Sequence, residues 1–363
     1  MTQPLMDSKV PRPQEIAAFL ARRVIGQAEA ITELSIALAK RLGHLPVGNV
    51  LMIGASGTGK TTLMRAVEEY LAEATAFGAL RPIVVRLHAN VLGEEAEQGR
   101  PGDALLLRLL ERAREVLGAT TPVETLLEHA RRGLVFVDEI DKIRTHVTDQ
   151  VNTAGIRAQE ALLTVMENEA IPFTLPAWAG GTLHVVDSSG LLFVCAGAFE
   201  GLYDAVYDRV TIGRDQGSLK PVSMIVDGEL VQRIEFSLRD WLRHDDLFDY
   251  GIGPQFLARF DAVVLLNDLG VQVLERVFLE TADSGYQQAK AYFESRNTQL
   301  SLSEAAIRRI AREAAESPRL GARALREVFR RVIRGYEFEP ERFADSDRVI
   351  RIDAPEVDKA LKR

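Results

Sequence analysis

The run Gly54-Ala55-Ser56-Gly57-Thr58-Gly59-Lys60-Thr61 constrains this chain more than any other feature. It is a G-x-x-x-x-G-K-T pattern placed directly behind the apolar segment Val50-Leu51-Met52-Ile53 and ahead of a helical pattern that starts near Thr61. Glycines let the backbone curl tightly round an anion, successive amides point inward as a nest, and the helix N-terminus adds partial positive charge. A strand leading through such a loop into a helix holds a pyrophosphate. The segment Gly54 to Thr62, with Thr62 at its end, is therefore the expected phosphate cradle of ATP, and Lys60 can reach the β and γ oxygens. Thr61 supplies a hydroxyl to Mg²⁺, which takes nearly octahedral oxygen ligation and keeps several waters. A plain glycine turn opening a helix is the competing reading.

Downstream, Leu134-Val135-Phe136-Val137 runs straight into Asp138-Glu139. Carboxylates at the exit of a buried strand are costly unless they face a cation or water. Behind a phosphate loop, Asp138 is expected to hold Mg²⁺ through its water shell and Glu139 to orient and polarise the attacking water. Taken alone, the same pair is a solvated strand end. Phosphoryl transfer builds negative charge on oxygens, so a further cation must complete the site. Composition and spacing do not choose among the arginines.

The chain has 363 residues, which at about 150 per domain implies roughly two domains. Apolar runs over Asn49 to Gly54, Pro82 to Ala89, Gly133 to Val137, Gly190 to Ala196 and Ala262 to Leu266 read as buried parallel strands. Helical patterns such as Thr61 to Ala74 and Ala104 to Leu117 alternate with them, giving a layered α/β unit over 1–267. Residues 268–363 read as a smaller, mainly helical domain. Its helices are expected over Val271 to Ser295, Ser303 to Glu316 and Gly321 to Tyr336, with short strands near Gln299 to Leu302 and Arg348 to Ile352. Gly213 to Ser218 and Ala179 to Thr182 read as exposed loops.

Hydrophobic residues make up 47% and charged residues 26%, so the chain can bury a core and is not a disordered or fibrous sequence. Its net charge of -8 argues against a global attraction to nucleic acid, although a local basic patch stays open. The single cysteine, Cys195, follows Leu191-Leu192-Phe193-Val194 and reads as core; it excludes an internal disulfide or a multi-thiolate zinc site. No apolar secretory segment opens the sequence and no run approaches the ~18 residues that span a membrane, so a cytoplasmic location without membrane partners is expected.

The VIGQ box at Val24 to Gln27, the phosphate loop, and Val137-Asp138-Glu139-Ile140-Asp141-Lys142-Ile143 together resemble the ClpX branch of the AAA+ ATPases. GIRAQEALLTVM at Gly155 to Met166, LFVCAGAFEGL at Leu192 to Leu202, YGIGPQFLARF at Tyr250 to Phe260 and LGARALR at Leu320 to Arg326 extend the likeness. The resemblance implies a P-loop AAA+ parallel sheet with flanking helices, a small helical domain, ATP between the two, and subunits in a hexameric ring. It nominates Val24 and Ile25 as adenine contacts, a pair that would otherwise read as core. It implies that Arg259 is an arginine finger acting on a neighbour's γ-phosphate. It likewise implies that Arg323 is a sensor coupling hydrolysis to domain rotation.

Departures from that family limit what carries over. The aromatic pore loop is replaced by Gly99-Arg100-Pro101-Gly102, which offers charge and stiffness in place of an apolar face. GRDQGSLKPV at Gly213 to Val222 holds no apolar tripeptide of the kind that docks on ClpP, so that docking is not expected. With one cysteine and a short stretch before Val24, the family's zinc-binding N-terminal domain is not expected. The leading expectation is a ring-forming, ATP-driven remodeller of a protein partner. A nucleotide-controlled assembly switch, and a motor or loader on nucleic acid using Arg100 and the Arg144 to His146 loop, are the alternatives.

Overall fold

A computed structural model describes residues 10–73, 82–97, 102–147, 150–166, 170–212, 221–226, 229–234 and 236–362. Five of the anticipated apolar runs form one sheet: β1 (Asn49–Ile53), β2 (Val84–His88), β3 (Leu134–Asp138), β4 (Leu192–Gly197) and β5 (Phe260–Leu265). The order is β5-β1-β4-β3-β2, and every neighbouring pair is parallel. β4 is buried at all six positions, and β3 at all but Asp138, as expected of strands covered on both faces. The helix Asp103–Leu117 supplies one cover: Leu105, Leu106, Leu109, Leu110 and Ala113 recur at helical spacing and are all buried. Because all five strands run the same way, their C-terminal ends share one edge. The order turns back at β1, so the chain leaves Ile53 where ligands of open α/β sheets bind.

Compactness divides the chain into two units. One comprises Lys40–Ile53 and the described part of Ala74–Leu265, and it contains the whole five-stranded sheet. The other comprises Val10–Ala39, Gly54–Glu73 and the described part of Leu266–Arg363. Its core joins Leu274, Phe278, Phe293, Ile310, Phe329 and Ile333. A parallel pair, Gln299–Leu302 with Val349–Ile352, completes it.

One local expectation changes. The long helix over 271–295 is two helices, Val271–Glu280 and Gly285–Glu294, because Ser284 caps a new start by accepting from the Gln287 amide at 3.2 Å. The loop at Ala179 to Thr182 turns out to join an antiparallel hairpin, Ala170–Thr174 with Leu183–Asp187. Residues 99–101 of the altered pore stretch and 213–220 of the altered docking stretch lie outside the described residues.

Candidate nucleotide site

The phosphate loop shows why its glycines are required. Gly57 and Gly59 have φ of 75° and 107°, in the left-handed region that costs an L-residue energy. A β-carbon on Gly57 would also collide with the carbonyl oxygen of Leu320. The same contact is closed from the other side, since Gly321 has φ 50° and the Ala322 amide donates to the Gly57 carbonyl at 3.1 Å. Backbone therefore meets backbone, and helix Ala322–Phe338 starts at the loop. Arg323 is its second residue and is exposed.

Helix Lys60–Glu73 starts on the lysine itself. Lys60 is 9% exposed, and its ammonium folds back on the loop, donating to the carbonyls of Gly54 and Ala55. Thr58 is buried and donates from Oγ1 to Ala55 O at 2.8 Å, which keeps the loop curled. Ser56 opens the tight turn between those two residues, and Thr61 and Thr62 follow on the exposed side of the first helical turn.

Val24 and Ile25 are buried, at 4% and 9% exposure. Val24 Cγ1 lies 3.5 Å from where a β-carbon on Gly59 would sit, so this box borders the loop. Gln27, whose role spacing alone does not show, holds the arrangement together. Its Nε2 donates to Thr58 O and Asn267 O, each at 2.9 Å, and its Oε1 accepts from the Asn267 amide at 2.8 Å. At 2% exposure it is a fully satisfied buried amide, which locks loop and chain entry in register.

In the sheet-bearing unit, Asp138 ends β3 and accepts from the Glu139 amide at 2.9 Å. Glu139 takes φ 59° and ψ 37°, a left-handed conformation without glycine. Such strain is of order 1–3 kcal/mol and clusters at functional sites. Its carboxylate stands half exposed, 3.7 Å from His88 Nδ1 at the end of β2, an ion pair only when the imidazole is protonated. His88 pairs with Asp138 across the strands, a placement that the sequence reading missed and that a register prediction could have found. Asp141 is 2% exposed and accepts from Ala198 N at 3.1 Å, so it pins the exit of β4.

The AAA family profile, described as ATPase family associated with various cellular activities, matches residues 50–212, a span holding both the phosphate loop and Asp138-Glu139. The ATP-dependent Clp protease ATP-binding subunit ClpX of Treponema denticola is 29% identical over 353 aligned positions, 91% of this chain and 77% of the relative. ClpX 3 of Methylococcus capsulatus is 29% identical over 380 positions, 97% of this chain and 82% of its own. ClpX of Bacteroides thetaiotaomicron is 27% identical, with 91% and 78% covered. The chain is a ClpX-like AAA+ ATPase.

This ClpX-like ATPase binds ATP and hydrolyses it. Arg259 is exposed and stands just before β5, at the sheet edge opposite Asp138. Its carbonyl accepts from Asn49 Nδ2 at 2.9 Å, while Asn49 Oδ1 accepts from the Phe193 amide at 3.0 Å. One amide thus ties the starts of β5, β1 and β4 together. Cys195 is fully buried, and burial pushes its thiol pKa well up. Among the described residues no helix is long and apolar enough to cross a membrane.

Proposed function

We propose that this ATPase works as a ring, a hexamer by family expectation, and uses hydrolysis to remodel a protein partner in the cytoplasm without ClpP. The functional division falls between residues 267 and 268. Gly54 to Thr62 cradle the phosphates, Lys60 neutralises the β and γ oxygens, and Val24 and Ile25 contact the base. Thr61 and Asp138 would hold Mg²⁺, since both offer the hard oxygen donors that this ion takes. Magnesium supplies charge neutralisation. Glu139 polarises the attacking water, Arg259 stabilises charge at a neighbour's γ-phosphate, and Arg323 senses nucleotide in its own chain.

The observation that carries this reading is the backbone contact of Gly57 with Leu320 to Ala322, because it sets Arg323 directly behind a formed phosphate loop. A finger that acts between copies has a decisive test. Arg259→Ala and Glu139→Gln should each lower phosphate release from ATP by about 100-fold or more. Mixed, they should recover a measurable fraction, since an Arg259→Ala copy keeps its own glutamate and borrows a neighbour's arginine. Mixtures no more active than either parent would overturn the trans assignment. For remodelling, a partner trapped by Glu139→Gln should stimulate the wild-type ATPase and change structure with it; a partner that does neither would favour an assembly switch.

A further inference from the structure

Arg41, in the last turn of helix Ala28–Leu42, is 7% exposed. Its Nε and Nη2 are sealed from solvent with no hydrogen-bond partner. These two atoms form one edge of the guanidinium fork, the edge that meets both oxygens of a carboxylate or phosphate. Arg114 and Arg144 also have a sealed Nε, but each lies over a ring, 4.3 Å from Trp178 and 4.7 Å from Tyr250. Among the described residues no ring lies under Arg41 in that way. Burial and then the nearby Arg132 guanidinium push its pKa down to about 10. His44 is lowered by burial, then by Arg132 and Arg41. Glu128, which could relieve this charge, is already held by Arg131 and Arg132 at 2.6 Å each. A buried cation without an answering anion is costly, and local positive charge makes it more so.

The geometry points to an oxyanion site made by Arg41 with Arg132 and His44, taking a phosphate or carboxylate group. It lies toward the N-terminal edge of the sheet, since Arg132 stands two residues before β3 and His44 lies in the turn leading to β1. That turn leaves His44 and Leu45 exposed. The group comes either from a small phosphate-bearing solute or from a carboxylate of a second copy, whose chain carries a net charge of -8.

Thermal unfolding of the intact chain, with the nucleotide loop saturated with ADP, separates these sources. Inorganic phosphate is titrated at low protein concentration, and protein concentration is raised without phosphate. Wild type should gain about 3 °C or more in one series. Arg41→Met should gain at least 2 °C less than wild type in that series, and without anion it should be no less stable. A response to phosphate assigns the solute; a response to protein concentration assigns the second copy. No response in wild type, or an equal one in Arg41→Met, overturns the site. Should the Met variant fail to fold, Arg41→Lys keeps the charge without the fork, and an undiminished response there overturns it as well.

Discussion

At Gly57 the phosphate loop has no room for one more carbon, because the Leu320 carbonyl occupies the place a side chain would take. At the end of β3 the Glu139 carboxylate instead stands half exposed, 3.7 Å from His88 Nδ1. The first arrangement is made of backbone and depends on what the residues lack. The second is made of side-chain charge and depends on what they carry. Substitution should therefore damage them differently: a change at the loop costs binding and stability together, whereas a change at the acid costs chemistry alone.

The largest effect tests the acid side of that contrast. Glu139→Gln should lower kcat by about 10³-fold while ATP affinity stays within about threefold and Tm within about 1 °C. A comparable loss of folding would show that the strained backbone at Glu139, and not its charge, is what matters. Next comes Gly57→Val, which should weaken ATP binding by about 100-fold and destabilise the protein by roughly 3 kcal/mol, read by nucleotide titration and denaturant melts. If this variant binds ATP normally, the loop is not as rigid as its contact with Leu320 requires.

Gln27→Ala should act in between, since it leaves Thr58 O, Asn267 O and the Asn267 amide without their partner. A loss of about 2 kcal/mol is expected, with weaker ATP binding and an unchanged kcat at saturation. The smallest effect is at Cys195. Its buried, raised thiol should react with an alkylating reagent at pH 8 only as fast as the protein opens globally, so labelling gives an independent readout of stability for the other variants.

The sheet was legible because parallel strands buried on both faces are written as unbroken apolar runs, and Leu192 to Gly197 is buried at every position. The phosphate loop was legible because its glycines and Lys60 fall at fixed spacing next to such a run. Pattern could not find the meeting of Gly57 with Gly321, which joins positions far apart in the chain through main-chain atoms. It could not single out Arg259 or Arg323 either, since an exposed arginine looks the same whether it is catalytic or merely solvated; those came from family likeness. The break at Ser284 was missed because apolar periodicity continues across it, although Asp283-Ser284-Gly285 carries both a turn signal and the capping hydroxyl.

Asn49 gives this arrangement a mechanical reading. The residue that clasps the carbonyl of Arg259 is also the first of β1, and β1 ends at Ile53, immediately before Gly54. A five-residue strand spans about 17 Å and is stiff along its length, held by pairing on both sides. The arginine proposed to act on an adjoining copy is thus tied to the start of the strand whose last residue leads into the phosphate loop. In the proposed ring, Asn49 and β1 would then be the shortest covalent and hydrogen-bonded route from the finger's backbone to the chain entering the phosphate loop.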